Sequence, residues 1–368
     1  MEKRTSKREV EMRILVDIGH PAHVHLFKNM ILHLENDGHE VKITARDKDV
    51  ALQLLDAYEL EYENRGKGYG GLLGKATGLM KINYTVYKIA RRFKPDILIG
   101  VHNPYIAQVG KLLRKPSIIF TDSEPVPIAN WLTFPFCSCI LLPSCFRKDL
   151  GPKSVRYNGY HEIAYLHPNY FDPDPAIVEE LNLRKADKFV ILRFVAWQAS
   201  HDIVHSGYNL ETKRRLIKEI GKYARVFITS EKPLPEEFEK YRITIPAHRI
   251  HDMLYYAQML VGDTQTMTTE AGILGTPAIR CNSFVGENDM GNFIELEEKY
   301  DLIYSYRDPD KALNKALDLL KNDNLKREWQ KKREKLLGEK IDVTKFMVEF
   351  IENYPRSFHE LVQSKNKK

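Results

Sequence analysis

The sequence predicts an α/β protein made of two doubly wound, Rossmann-like domains facing across a cleft. Three observations predict it. Its 368 residues are more than one hydrophobic core usually serves. Short apolar runs alternate with amphipathic stretches through both halves, which is the pattern of parallel strands joined by helical crossovers. A turn-rich stretch with Pro168, Pro173 and Pro175 beside Asp172 and Asp174 interrupts that alternation near the middle. The expected domains are therefore residues 12–167 and 168–342, and residues 1–11, charged and placed ahead of Met12, are expected to be a disordered extension.

Each element follows from local pattern. Residues 13–17 form an apolar run suited to a buried parallel strand, and 23–36 carry Leu26, Met30, Ile31 and Leu34 at helical spacing before Gly38 stops them. Strands are expected next over 39–45, 60–64, 96–100, 117–121 and 139–142, with helices over 47–57, 79–93 and 104–113 between them. Segment 66–78, with Gly68, Gly70, Gly71 and Gly74, predicts a mobile loop, read either as a lid or as an ordinary surface loop. Beyond the turn-rich stretch, strands are expected over 189–194, 225–229, 243–245, 259–261 and 278–280. The helices between and after them span 210–223, 252–257, 266–274, 309–320, 325–337 and 343–354.

Composition excludes several classes of function. Net charge is +6, but residues 321–340 alone hold eight Lys and Arg against four acids, the look of a solvated helix rather than a nucleic-acid groove. No nucleic-acid partner is expected. The four cysteines form no CxxC pair, which fits unbridged thiols in a reducing cytoplasmic setting. The first apolar run, Ile14 to Val16, is too brief for a secretory signal. From Pro125 to Phe146 the chain has no charge, yet Pro125, Pro127, Pro135 and Pro143 would break a spanning helix, so turn, short helix and buried strand are expected there. That leaves no transmembrane segment, while peripheral membrane contact and an apolar surface for a lipid-linked substrate stay open.

Chemistry concentrates where strands end. The run Gly262 to Gly272 leaves a strand and opens a helix with hydroxyl side chains and unpaired backbone N–H groups, a natural seat for a diphosphate at Thr264, Gln265 and Thr266. Glu270, one turn in, can accept from two ribose hydroxyls. The alternative is that Thr266 caps the helix and Glu270 favours its positive end. His20, His23 and His25 crowd the first strand-to-helix turn. His23 and His25 diverge on a helix, so no metal site is expected, and His23 is the favoured general base, with capping or packing as its alternative. Asp122 and Glu124 follow a strand and offer a base and an orienting group, or a polar turn ahead of Pro125. Arg193, with Trp197, Ser200, His201 and Asp202, follows another strand and can meet diphosphate or sugar.

The block TQTMTTEAGILGTPAI, residues 264–279, resembles the donor-nucleotide helix of the glycosyltransferase B superfamily. That resemblance gives Glu270 the ribose and Thr264, Gln265 and Thr266 the phosphates, and puts Ser230 and His251 where the base is held. The run Gly19 to Lys28 resembles the superfamily's first Gly/His loop. With DIGHPAHVHLFK, FTDSEP and TFPF, the sequence over roughly 12–350 resembles the domain of unknown function 354 family within that superfamily. The resemblance implies that the last helix, 343–356, packs back on the first domain. The superfamily also holds the non-hydrolysing UDP-N-acetylglucosamine 2-epimerases, with a His-Gly-Asp triplet where this chain has His102-Asn103-Pro104 and a His-Arg-Arg-Glu loop where it has Arg193 to Trp197. Asp122 or Glu124 can match their remaining carboxylate.

The implied function is a metal-independent glycosyltransferase with a nucleotide-sugar donor, a UDP-sugar foremost, an unidentified acceptor and no further cofactor. A nucleotide-sugar epimerase or hydrolase, and a non-catalytic nucleotide-sugar-binding protein, are the alternatives.

Overall fold

The structure, a computed structural model, describes residues 12–68, 72–124, 126–194, 208–230, 233–287 and 289–365. The chain divides into two compact units. The first holds the described residues up to Ser144, then Lys148–Tyr157 and everything from Asp342, and the second holds Cys145–Arg147 and Asn158–Ile341. Residue 168 lies inside the second unit.

Seven parallel strands build the first unit: β1 (Arg13–Ile18), β2 (Glu40–Ala45), β3 (Tyr62–Asn64), β4 (Ile97–Val101), β5 (Ser117–Phe120), β6 (Cys139–Pro143) and β7 (Ser154–Tyr157), in the order β3-β2-β1-β4-β5-β6-β7. Their crossovers are α1 (Pro21–Asn36), α2 (Ala51–Ala57), α3 (Leu72–Phe93), α4 (Pro104–Leu113) and α5 (Pro127–Thr133). In β1 the residues Ile14, Leu15, Val16 and Ile18 are wholly buried, and Ile14 lies in register between Val41 and Ile97. A strand covered on both faces has no reason to alternate, hence the continuous apolar run.

The second unit opens with two short helices, α6 (Ile163–Leu166) and α7 (Ala176–Glu180). Its five parallel strands are β8 (Phe189–Phe194), β9 (Arg225–Ser230), β10 (Met259–Gly262), β11 (Ala278–Cys281) and β12 (Ile303–Tyr306), ordered β12-β11-β10-β8-β9. The helices are α8 (Leu210–Ile220), α9 (Ile250–Tyr256), α10 (Thr266–Ile273), α11 (Gly291–Ile294), α12 (Pro309–Leu320) and α13 (Leu325–Glu339). The chain then re-enters the first unit with α14 (Val343–Glu352) and α15 (Arg356–Lys365). Asp342 caps α14 by accepting from the Lys345 amide, and α14 packs on α1 with Met347, Phe350 and Ile351 buried.

Two expectations are corrected. The glycine-rich segment is helical from Leu72, with Gly74 and Gly78 inside α3. Each glycine costs about 1 kcal/mol relative to alanine, small beside the packing of a helix that buries Ile82, Val86, Ile89 and Ala90. A lid reading of residues 69–71 lies outside the described residues. Residues 243–245 form no strand; a single bridge pairs Ile228 with Arg242, and Ile243 donates its amide to the Ile228 carbonyl. Pro246, with no N–H to give, stands just beyond and keeps the pairing from extending along the edge of β9.

Candidate functional site

In the second unit the order of the strands reverses between β8 and β10: the chain leaves β8 outward to β9, then returns on the other side through β10, β11 and β12. Sheets of this kind hold ligands at that switch point, beyond the carboxyl ends of the strands. Arg193 and Gly262 stand there, paired in register. Gly262 is required by close approach, since a Cβ on it would sit 2.1 Å from the Arg193 carbonyl oxygen. The backbone next turns through Asp263, whose amide donates to that same carbonyl at 3.2 Å, and enters α10 at Thr266. Thr266 is the first helical residue and not the cap. The cap position belongs to Gln265, which makes no side-chain capping bond, so no cap side chain occupies the amides of the first turn.

Glu270, one turn along α10, is 4% exposed. Its Oε1 accepts from the Tyr165 hydroxyl at 2.8 Å and lies 3.0 Å from His251 Nε2; neither bond occupies Oε2. The Tyr165 and His251 rings pack with centroids 5.2 Å apart, and Phe171 meets His251 edge-on. Burial alone would raise the Glu270 carboxyl, but His251, the Tyr165 hydroxyl and the Arg193 charge outweigh it and hold the group below the usual carboxylate range. Glu270 is therefore an anion at neutral pH, fixed in orientation before any ligand arrives. Arg193 also donates from Nη1 to Thr229 Oγ1 at 3.2 Å. Ser230 ends β9 beside it, in register with Phe194. Thr264 is nearly buried and its carbonyl accepts from Thr268 Oγ1, while Gln265 and Thr266 are half-exposed.

Three side chains near this turn were not singled out by sequence. Tyr165 reaches Glu270 from the short helix α6. Lys213 on α8 is 3% exposed, and its ammonium lies over the Phe194 ring at 5.1 Å. Burial lowers its pKa, with Asp263 pulling the other way. Asp263 itself is 7% exposed. The far end of α10 is held from α13: Gln330 Nε2 donates to the Leu274 and Gly275 carbonyls, and Arg333 Nε to that of Ile273. Donors on the last carbonyls satisfy the carboxyl end of the helix and keep its amino end in place. Trp197, Ser200, His201 and Asp202 lie outside the described residues.

In the first unit the switch point falls between β1 and β4. His20 caps α1, its Nδ1 accepting from the Ala22 amide at 3.2 Å, and His23 Nδ1 accepts from the Gly19 amide at 3.3 Å. His25 is buried and reaches Tyr58. Beneath this turn lies a network that sequence did not single out. Asp17, fully buried, takes a bidentate pair from Arg65 at 2.7 and 2.9 Å, a bond from Thr44 at 2.6 Å and another from Nδ2 of the Asn103 side chain. Asn103 also caps α4 through the Ile106 amide. His102 before it has φ 44°, a costly backbone for a non-glycine residue, and bonds Thr121 Oγ1 at 2.7 Å and Asn130 at 2.5 Å. Asp122 accepts from Ser123, and the buried Glu124 lends its carbonyl to Lys148. Both follow β5, which β4 separates from the His23 turn, a lateral step of about 10 Å. Among the described residues no three His, Cys, Asp or Glu side chains converge to hold a metal ion.

Two parallel-sheet α/β units, with Arg193 and Gly262 at the switch point of one and His20 and His23 at that of the other, have the fold of the glycosyltransferase B architecture. More particularly, the chain belongs to the family described as Protein of unknown function (DUF354), whose profile matches residues 12–356. An uncharacterised Methanocaldococcus jannaschii protein, MJ0665, is 23% identical over 282 residues, covering 74% of this chain and 82% of that one. Among solved structures, the Staphylococcus aureus MnaA–UDP co-structure matches with a TM-score of 0.68 at 12% identity, over 94% of this chain and 97% of the other. The Neisseria meningitidis UDP-GlcNAc 2-epimerase bound to UDP-GlcNAc gives 0.65 at 12% identity, over 92% and 99%. The spinosyn rhamnosyltransferase SpnG gives 0.60 at 14% identity, over 93% and 100%. At such identities the likeness is one of fold.

Proposed function

We propose that the protein is a nucleotide-sugar-dependent glycosyltransferase whose donor, a UDP-sugar foremost, binds the second unit. One observation carries the reading: an ionised, buried and pre-oriented Glu270 sits one turn inside a helix whose amino end opens at the β8/β10 switch point. Oε2 of Glu270 takes the ribose hydroxyls. The amides and hydroxyls of Thr264, Gln265 and Thr266 hold the diphosphate, with Arg193 supplying the positive charge in place of a metal ion. Ser230 and His251 flank the base. Relatives of the same fold that carry UDP, UDP-GlcNAc or thymidine diphosphate support this class of ligand. In the first unit His23 is the base for an acceptor hydroxyl through Nδ1, the nitrogen that accepts from the Gly19 amide and exchanges that partner for the hydroxyl, and Asp122 with Glu124 is the alternative. Transfer is favoured over epimerisation because the run His102-Asn103-Pro104 has a proline where the epimerases carry the acid of their triplet, and Asn103 beside it is committed to Asp17 and to the cap of α4.

Purified protein titrated with UDP-, dTDP- and GDP-sugars should show a raised melting temperature with at least one of them. Glu270→Ala should weaken that ligand about tenfold or more, roughly 1.4 kcal/mol, with Glu270→Gln as the variant that keeps the shape of the side chain. Nucleotide released only when an acceptor is added supports transfer; a sugar altered without acceptor supports epimerisation. If no nucleotide or nucleotide sugar moves the melting temperature, the reading is wrong.

A further inference from the structure

One helical layer of the first unit has a surface that the donor site does not explain. Helices α3, α4 and α5 are successive crossovers packed side by side, α3 on α4 and α4 on α5. Asn83 on α3 donates to Gln108 on α4 at 2.6 Å, and Gln108 donates to the Leu132 carbonyl of α5 at 2.9 Å. Large apolar side chains that would ordinarily be inside point out from this layer. Ile128 is 76% exposed, Trp131 74% and Leu112 68%, and Met80, Tyr84 and Phe136 join them. Six of the ten exposed large hydrophobics among the described residues are carried by these three packed helices or the turn just after α5. Scattered singly such residues need no explanation; gathered they mark a contact.

Charge identifies the contact. From Arg65 to Thr121 the chain holds eleven Lys and Arg and one acid, Asp96, and from Pro125 to Phe146 it holds no charge at all. Beside Phe136 runs an open groove of about 640 Å³ lined by Lys111, Arg114, Lys115 and Lys153. Lys115 pairs with Asp96, and Lys153 donates to the carbonyls of Phe134, Pro135 and Cys137. Lys111 and Arg114 are exposed and have no ion pair among the described residues. A second copy of the chain fits badly, because apolar faces brought together would press one cationic rim against another. Nucleic acid has little use for exposed Ile and Leu. A tryptophan and aliphatic side chains ringed by Lys and Arg are what an anionic bilayer selects: the apolar groups enter the acyl boundary and the cations meet the headgroup phosphates.

We infer that the α3–α4–α5 face is a peripheral docking surface for anionic phospholipid membrane, with Ile128, Trp131 and Phe136 inserted and the Lys111/Arg114 groove holding a headgroup phosphate. No element of the donor site takes part, so the inference stands apart from the glycosyltransferase reading. Among the described residues no helix is long and apolar enough to cross a membrane.

The test is co-sedimentation of the full chain with vesicles of phosphatidylglycerol and phosphatidylcholine, against vesicles of phosphatidylcholine alone. Binding is expected only to the first, falling at least tenfold in 0.5 M salt. Ile128→Ser with Trp131→Ser, and separately Lys111→Glu with Arg114→Glu, should each cut it at least tenfold with unchanged melting temperature. Because the four side chains are exposed, neither pair of changes threatens the fold. Absence of binding to the anionic vesicles, or binding that ignores both pairs, overturns the inference. A dimer in sedimentation velocity that Trp131→Ser dissociates, without vesicle binding, would assign the face to a second copy instead.

Discussion

Lys326 shows how one residue of a basic helix can differ from its neighbours. Its ammonium is enclosed beneath α13, donating to Thr276 Oγ1 at 2.9 Å and to the Tyr255 carbonyl, under the turn that closes α10. Burial, helped by the nearby Arg333, pushes its pKa down to about 7. The unfolded chain keeps that proton to near the ordinary lysine value, about 10.4, so between these limits the unfolded state binds more protons and stability rises with pH. Buried thiols act in the opposite direction at higher pH. Cys137 is raised to about 11 and Cys281 to about 12, both by burial, so unfolded thiols ionise first above about 8.5. The lysine effect is therefore isolated between pH 7 and 8.5. The urea midpoint of the wild type is expected to climb across that window, and Lys326→Met, with no proton to take up on unfolding, should climb less. Equal slopes would mean that the ammonium is not held neutral. In sequence Lys326 is indistinguishable from Lys331 or Lys332, and residues 321–340 read as a solvated helix; only the face that α13 turns inward, with Leu325, Trp329 and Leu336 buried, separates them.

At the scale of elements, the strand-turn-helix from β10 into α10 depends on a residue with no side chain. Gly262→Ala would place its Cβ 2.1 Å from the Arg193 carbonyl oxygen, and the obstacle is backbone, which cannot rotate aside. We expect a loss of about 1–3 kcal/mol in denaturant unfolding together with weakened nucleotide binding, because the displaced β10 end carries the Thr264–Thr266 turn. A variant with wild-type stability and affinity would show that the two strand ends separate freely. This turn was legible in the sequence because strand, turn and helix are contiguous, as were the central strands, whose burial on both faces makes continuous apolar runs. The edges were not. Strands β7, Ser154-Val-Arg-Tyr, and β12, Ile303-Tyr-Ser-Tyr, lie at the ends of their sheets and lack that run. Glycines in 66–78 hid the start of α3, and α15 went unforeseen after the Pro355 that precedes it. Among the candidate site residues, Glu270 stands out in sequence through its position one turn into a helix. Tyr165, 105 residues away, and Lys213 carry no local signal, because only the tertiary fold brings them to the turn.

The largest scale concerns how the chain is shared between its two units. Everything from Asn158 to Ile341 lies in the second, and the chain then returns to the first with α14, whose Val343, Met347, Phe350 and Ile351 are buried and whose face packs on α1. His39, at the start of β2, lies 3.3 Å from Glu352 at the end of α14, so the return is fastened by a polar contact as well as apolar area. The first unit therefore needs the last residues of the chain, while the second, with β8 to β12 and the whole Glu270 site, does not. Ending the chain at Ile341 removes five buried apolar side chains, Val348 being the fifth, each worth about 1.5–3 kcal/mol, from a unit whose stability is of the order of 5–15 kcal/mol. Calorimetry on the truncated chain should show the first unit unfolding at a lower temperature or already unfolded, with exposed apolar surface binding a hydrophobic dye. The second transition, and its upward shift with nucleotide, should persist. If truncation abolished the ligand-dependent transition, the second unit would not be the independent body that its own strands and core describe. If it left both transitions in place, α14 would contribute nothing to the stability of α1 and the sheet beneath it.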